Sequence, residues 1–124
     1  MSKTEERPPV WVGHVTMKTT SVAESNKFMV ELGMRPIVDG EGFAVLELRG
    51  GTHLVLLASE EPLSGTAPFD LMVEDLDTTH GDLSERGLSP SEITRGNIHD
   101  SFTVRDPSGL DVQFNSTHVS DRPV

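Results

Sequence analysis

The feature that most constrains this chain is that it repeats itself once. Residues 21–36 read SVAESNKFMVELGMRP, and residues 75–90 read DLDTTHGDLSERGLSP. A shift of 54 positions lays Val22 on Leu76, Met29 on Leu83, Gly33 on Gly87 and Pro36 on Pro90. A later shift of 58 lays Leu46 on Val104, Gly51 on Gly109, Leu54 on Val112 and Leu56 on Phe114. Two matches in the same order, either side of a small gap, indicate two copies of one supersecondary module. Paired modules tend to build a site between the copies, so the polar residues facing the seam are the ones to follow.

At 124 residues the chain has room for one domain. The expected division is a polar arm at 1–9, a single domain at 10–118 made of modules 10–58 and 67–118, and a loose tail at 119–124. The net charge of −10 repels a phosphate backbone, which argues against nucleic acid as a partner. No apolar run approaches the roughly 18 residues of a membrane span. The opening MSKTEERPPV has no apolar core of a signal peptide, so a cytoplasmic protein without a membrane partner is expected. The absence of cysteine removes disulfides, a thiol nucleophile and thiolate metal sites.

Local signals place the elements. Val10–Thr19 is rich in β-branched residues and alternates loosely, as a strand does. Ser21 and Glu24 have capping-box spacing, Gly33 suits a helix stop and Pro36 bars continuation. Asp39-Gly40 and Glu41-Gly42 mark a turn between strands near 35–38 and 43–48, and a further strand is expected at 53–57. SEEPLSGTAP then links the modules. The second copy predicts a strand at 69–73, a helix at about 78–86, a weak strand near 91–94, and strands at 101–105 and 110–115. Each module is therefore β-α-β-β-β, an α+β architecture with one helix per module outside mixed sheets.

Strand alternation sorts side chains onto two faces. Val15 and Met17 oppose His14, Thr16 and Lys18. Leu54 and Leu56 oppose His53, Val55 and Leu57. Phe69, Leu71 and Val73 oppose Pro68, Asp70 and Met72. Phe102 and Val104 oppose Ser101, Thr103 and Arg105, with His99 in the same phase. Val112 and Phe114 oppose Asp111, Gln113 and Asn115. The first-named sets pack on the helices. The second sets are rich in uncharged polar groups, and curved sheets would wrap them into a cup. Glu47 shares that phase, or is an exposed edge charge. His99 and Asp100 orient one another, or form a turn pair. His80, on the second helix, is expected to face solvent, and His118 closes the cup or frays.

The segments GHVTMKTTSVAESNKFMVELGM and DSFTVRDPSGLDVQF carry a family likeness. A strand histidine followed by a capped helix and a Leu-Gly stop, with a closing D-P-x-G hairpin, resembles the vicinal-oxygen-chelate superfamily. That group includes glyoxalases, bleomycin-resistance proteins, fosfomycin-inactivating thiol transferases and extradiol dioxygenases. The resemblance implies a homodimer whose modules form curved half-cups, often around a divalent metal. It puts the first-strand ligand on His14, the fourth-strand ligand on Val55, the second module's first ligand on Pro68 and the closing carboxylate on Gln113. Valine and proline supply no donor, so His14 and Gln113 alone remain, too few for a hard divalent ion. His53 and Asp70 lie two residues from the empty positions and would serve a displaced site. Ser101 and Thr103 match positions that line the pocket in the fosfomycin enzymes.

The expected function is binding of a small polar or cationic molecule in the cup, without the usual metal. His14, Thr16, His53, Asp70, His99, Ser101, Thr103, Gln113 and Asn115 are its candidate contacts. The rival is a metal-dependent lyase, thiol transferase or dioxygenase of the same superfamily, with His14 and Gln113 on the ion. A purely structural module is a third class.

Overall fold

The protein is described by a computed structural model covering residues 6–118 and 121–124. Parts of the expected arm (1–5) and tail (119–120) lie outside the described residues. In chain order the elements are β1 (His14–Thr19), α1 (Val22–Leu32), β2 (Arg35–Asp39), β3 (Phe43–Glu47), β4 (His53–Ala58), β5 (Gly65–Val73), α2 (Leu76–Glu85), β6 (Ser101–Arg105) and β7 (Leu110–Ser116). They form two open sheets, one of four strands ordered β1-β4-β3-β2 and one of three ordered β5-β7-β6. β1 runs parallel to β4, and β5 runs parallel to β7, so the two sheets repeat one topology. α1 packs on β2, β3 and β4, α2 packs on β7, and β1 lies beside β5 where the sheets meet. This is the α+β, two-module architecture that the repeat predicts.

The repeat has a local physical cause. In α1 the Gly33 N–H donates to the Val30 carbonyl and the Met34 N–H to the Met29 carbonyl. In α2 the Gly87 N–H donates to Ser84 and the Leu88 N–H to Leu83, the same pair of bonds 54 positions on. Both glycines are left-handed, at φ 118° and 78°, which a side chain would resist. The N-termini match as well. The Ser21 side chain accepts from the Glu24 N–H at 3.4 Å, and the Asp75 side chain accepts from the Thr78 N–H at 3.0 Å. Asp75 therefore starts α2 before the expected 78. The Thr78 N–H bonds hold its carboxyl below the ordinary carboxylate range. Arg86 at the end of α2 donates to the Glu31 carbonyl in the last turn of α1 at 2.5 Å, tying one module's helix to the other's.

The core follows the expected faces. Met17, Phe28, Met29, Leu46, Leu54 and Leu56 are buried in the first module, and Leu83, Phe102, Val104, Val112 and Phe114 in the second. Phe102 and Phe114 stack with centroids 4.9 Å apart. His80 departs from expectation. Its ring packs edge-on against Phe102 at 5.1 Å and its Nε2 donates to the Ser91 carbonyl at 2.8 Å, so it fastens a loop to the core edge rather than facing solvent alone.

The expected strand near 91–94 is reduced to an isolated bridge between Thr94 and Ser101. The Ser91 hydroxyl takes the Thr103 N–H at 2.8 Å, a bond that a second strand would have made through its backbone. β1 begins at His14 rather than Val10, and Val10, Trp11 and Val12 are exposed. β5 begins earlier than expected, at Gly65. Its pairing with β7 breaks between Thr66 and Asp70, around Pro68, which has no N–H for the ladder.

Candidate functional site

Neither helix covers the second face of its sheet, and strand register arranges the side chains there into rows. In the four-stranded sheet His14 lies opposite His53, His53 opposite Glu47, and Glu47 opposite Arg35. Along this row the His14 and His53 rings stand 5.7 Å apart, centroid to centroid. His53 Nε2 lies 3.0 Å from Glu47 Oε2, and Glu47 Oε1 lies 3.5 Å from Arg35 Nη1. An ionised carboxylate only accepts, so Nε2 carries the proton. The next row is Thr16, Val55, Val45 and Val38, and the third is Lys18, Leu57 and Phe43. Val38, Phe43 and Leu57 are exposed. This face is thus one polar row followed by rows that are apolar on β2, β3 and β4 and polar on β1, at Thr16 and Lys18.

The three-stranded sheet presents different chemistry. Asp70 lies opposite Gln113, and Gln113 opposite Thr103. Met72, Asn115 and Ser101 form the row beside it. Asn115 is buried, and its Oδ1 accepts from Gln113 Nε2 at 2.8 Å, so it braces Gln113. Arg105 Nε donates to Asp111 at 3.0 Å at the far end, and that bond raises the guanidinium pKa.

The fold thus places His14, Thr16 and His53 on one sheet and Asp70, Ser101, Thr103, Gln113 and Asn115 on the other. At the junction of β1 and β5 a cleft of about 410 Å³ is lined by Val12, Val15, Leu48, Thr52, Phe69 and Asp70, among others. His99 stands apart, on the loop before β6. Its ring lies 5.5 Å from that of His118, and it borders a hollow of about 330 Å³ with Thr94, Asn97 and Ile98. Asp100 does not orient His99 by hydrogen bonding. Its carboxylate accepts from Arg95 Nη1 at 2.8 Å and from the Gly96 N–H at 3.2 Å. The Arg95 guanidinium foremost, and then the Gly96 N–H, hold the Asp100 carboxyl below its ordinary value. Arg95 also binds Asp77 at 2.7 Å, which pins the loop to α2 and raises the guanidinium pKa.

A family model described as the glyoxalase/bleomycin resistance protein/dioxygenase superfamily matches residues 11–114. The chain belongs to that superfamily. No curated protein sequence matches it. Solved glyoxalase-fold structures superpose on it at low identity. The lactoylglutathione lyase of Agrobacterium tumefaciens is 15% identical with a TM-score of 0.76, over 90% of this chain and 97% of that one. TnmS3, an antibiotic binding protein from Streptomyces sp. CB03234, is 21% identical with a TM-score of 0.72, over 90% and 98%. The oxidase ChaP-H2 is 21% identical with a TM-score of 0.69, over 89% and 95%. At such identity the likeness establishes the fold of this superfamily member alone.

The donor set does not fit the divalent metal that the superfamily resemblance implies. The resemblance puts ligands at Val55 and Pro68, which supply no donor, and Gln113 is neutral and already bonded to Asn115. Among the described residues no three His, Asp or Glu side chains converge on one point. The residue that sequence reasoning left open is Glu47. Its signal was its place in a hairpin, where a strand, a short turn and a return strand set it against His53.

Proposed function

We propose that this superfamily member is a homodimeric small-molecule-binding protein that works without the usual metal. Its ligand is amphipathic, with a flat apolar part and several oxygen substituents. One observation carries the reading: the two helix-free faces differ. The first offers Val38, Val45, Val55, Phe43 and Leu57 beyond its polar row. The second offers the row Asp70, Gln113 and Thr103. An apolar wall and a hydrogen-bonding wall suit a ligand with both kinds of surface. To the small polar or cationic molecule expected from the sequence, the apolar rows of the first sheet add an apolar part. That TnmS3 is an antibiotic binding protein on the same fold is consistent with this use. Open sheets leave exposed strand edges, which favours pairing of two copies.

Calorimetric titration with alizarin, a flat hydroxyquinone, tests the reading, alongside light scattering of the free protein. Micromolar binding that survives a chelator, by a dimer, supports it. Absence of binding overturns it, and tight stoichiometric metal in the purified protein overturns its metal-free part.

A further inference from the structure

We propose that the protein carries a second binding site, for an aromatic carboxylate, where the N-terminal arm and the C-terminal tail meet the turn between β3 and β4. A cavity of about 410 Å³ lies there, lined by Arg7, Val10 and Trp11 of the arm, Arg49 and Thr52 of the turn, and Val124 of the tail, among others. None of these residues belongs to a β-strand, so the site stands apart from the two sheet faces and from the ligand proposed for them. The arm is tied down beside it. Thr52 Oγ1 donates to the Val12 carbonyl at 2.6 Å, and the His53 N–H donates to the Gly13 carbonyl at 2.9 Å, which fixes the residues after Trp11 to the start of β4. Pro8 and Pro9 lock two φ angles before it, which lowers the entropy lost when Arg7 takes up a ligand.

The lining selects the ligand class. Trp11 is 72% exposed and Val10 78%, an apolar surface that folding leaves uncovered. An indole presents a flat face on which an aromatic ring stacks. The chain carries a net charge of −10, yet two of its ten basic residues meet at this cavity. Among the described residues no carboxylate pairs with Arg7. Arg49 lies 3.0 Å from Glu74, but both side chains are largely exposed, and such a pair is weak enough for an incoming anion to displace. Guanidinium groups present planar pairs of donors that match a carboxylate. An aromatic carboxylate meets both requirements, its ring against Trp11 and Val10 and its charge against Arg7 and Arg49.

Trp11 is the one tryptophan of the chain, so its indole N–H gives a single resonance that reports this cavity. Titration of the full chain with 2-naphthoate should move that resonance to saturation. Uncharged 2-naphthamide, with the same rings, should bind at least about tenfold more weakly, because it brings no anion to the guanidinium groups. Arg7→Gln and Arg49→Gln should each weaken 2-naphthoate at least about threefold. Both should leave the melting temperature unchanged, since both side chains are exposed and outside the core. An indole resonance that 2-naphthoate does not move would overturn the proposal. So would equal affinity for the two probes, or arginine variants that bind 2-naphthoate as the wild type does.

Discussion

His14 and His53 face one another across the parallel pairing of β1 and β4, with their rings 5.7 Å apart and Glu47 bound to the far side of His53. A histidine pair on a helix-free face, beside apolar ground, is chemistry that the helix-facing core does not need. Its removal should therefore separate function from folding.

His14→Ala should leave the melting temperature nearly unchanged, because the side chain is exposed and touches no part of the buried core. Affinity for alizarin should fall by about 1–3 kcal/mol if the imidazole hydrogen-bonds a charged oxygen of the ligand. Melting curves and calorimetry on the same variant check both halves. A destabilised variant with unchanged affinity would remove His14 from the site.

Gln113→Glu should raise divalent-cation affinity at least about tenfold, since the new carboxylate lies opposite Asp70 in the β5–β7 register. Manganese titration followed by calorimetry reads the change. Equal, weak binding by both proteins would show that the strand register does not bring these two side chains into reach of one ion.

Leu46→Ala should cost about 2–5 kcal/mol, the usual range for a leucine deleted from a core that cannot collapse around the gap. Leu46 is fully buried between β2 and β4 under α1. Urea denaturation gives the value, and a loss below about 1 kcal/mol would mean that α1 is not seated as described.

The tether of the loop before β6 should depend on pH. Asp100 has an ordinary carboxyl value of 3.8 and is held below it by Arg95 and the Gly96 N–H. A depressed value means that the tether is complete above the ordinary value and is lost as pH falls through the lowered one. The Gly96 amide resonance, followed from pH 6 to about 2, should move with a midpoint below 3.8. A midpoint at or above it would show the bond absent in solution.

A Gly109→Ala variant should be destabilised more than a surface alanine usually is. The residue sits at φ 103°, and its Cβ would come within 2.8 Å of the Leu63 carbonyl oxygen. Both the left-handed backbone and the inter-module linker would have to move. Thermal melts against Gly81→Ala, whose Cβ meets open space, provide the comparison.

The amino-acid sequence by itself determined what depends on neighbours along the chain. The match between Gly33 and Gly87 is one helix-closing motif made twice, because only a residue without a side chain enters that turn easily. The alternation in HVTMKT and SFTVR decided which face each strand buries. The cap at Asp75 stands 54 positions after Ser21, yet local signals placed the start of that helix at about 78. Tertiary structure alone decided which polar residues meet. Glu47 joins His53 only because β3 and β4 pair in one register, and slippage by a single residue would send the two side chains to opposite faces. It also decided that the expected strand at 91–94 became a loop, which keeps backbone bonds to β6 at Ser91 and Thr94 and is pinned by Arg95 to Asp77 and Asp100, residues up to 18 positions apart. The contrast between an apolar wall on one sheet and a hydrogen-bonding wall on the other arises in the same way. Strand pairing gathers side chains from distant segments into rows, and no single segment carries the composition of a row.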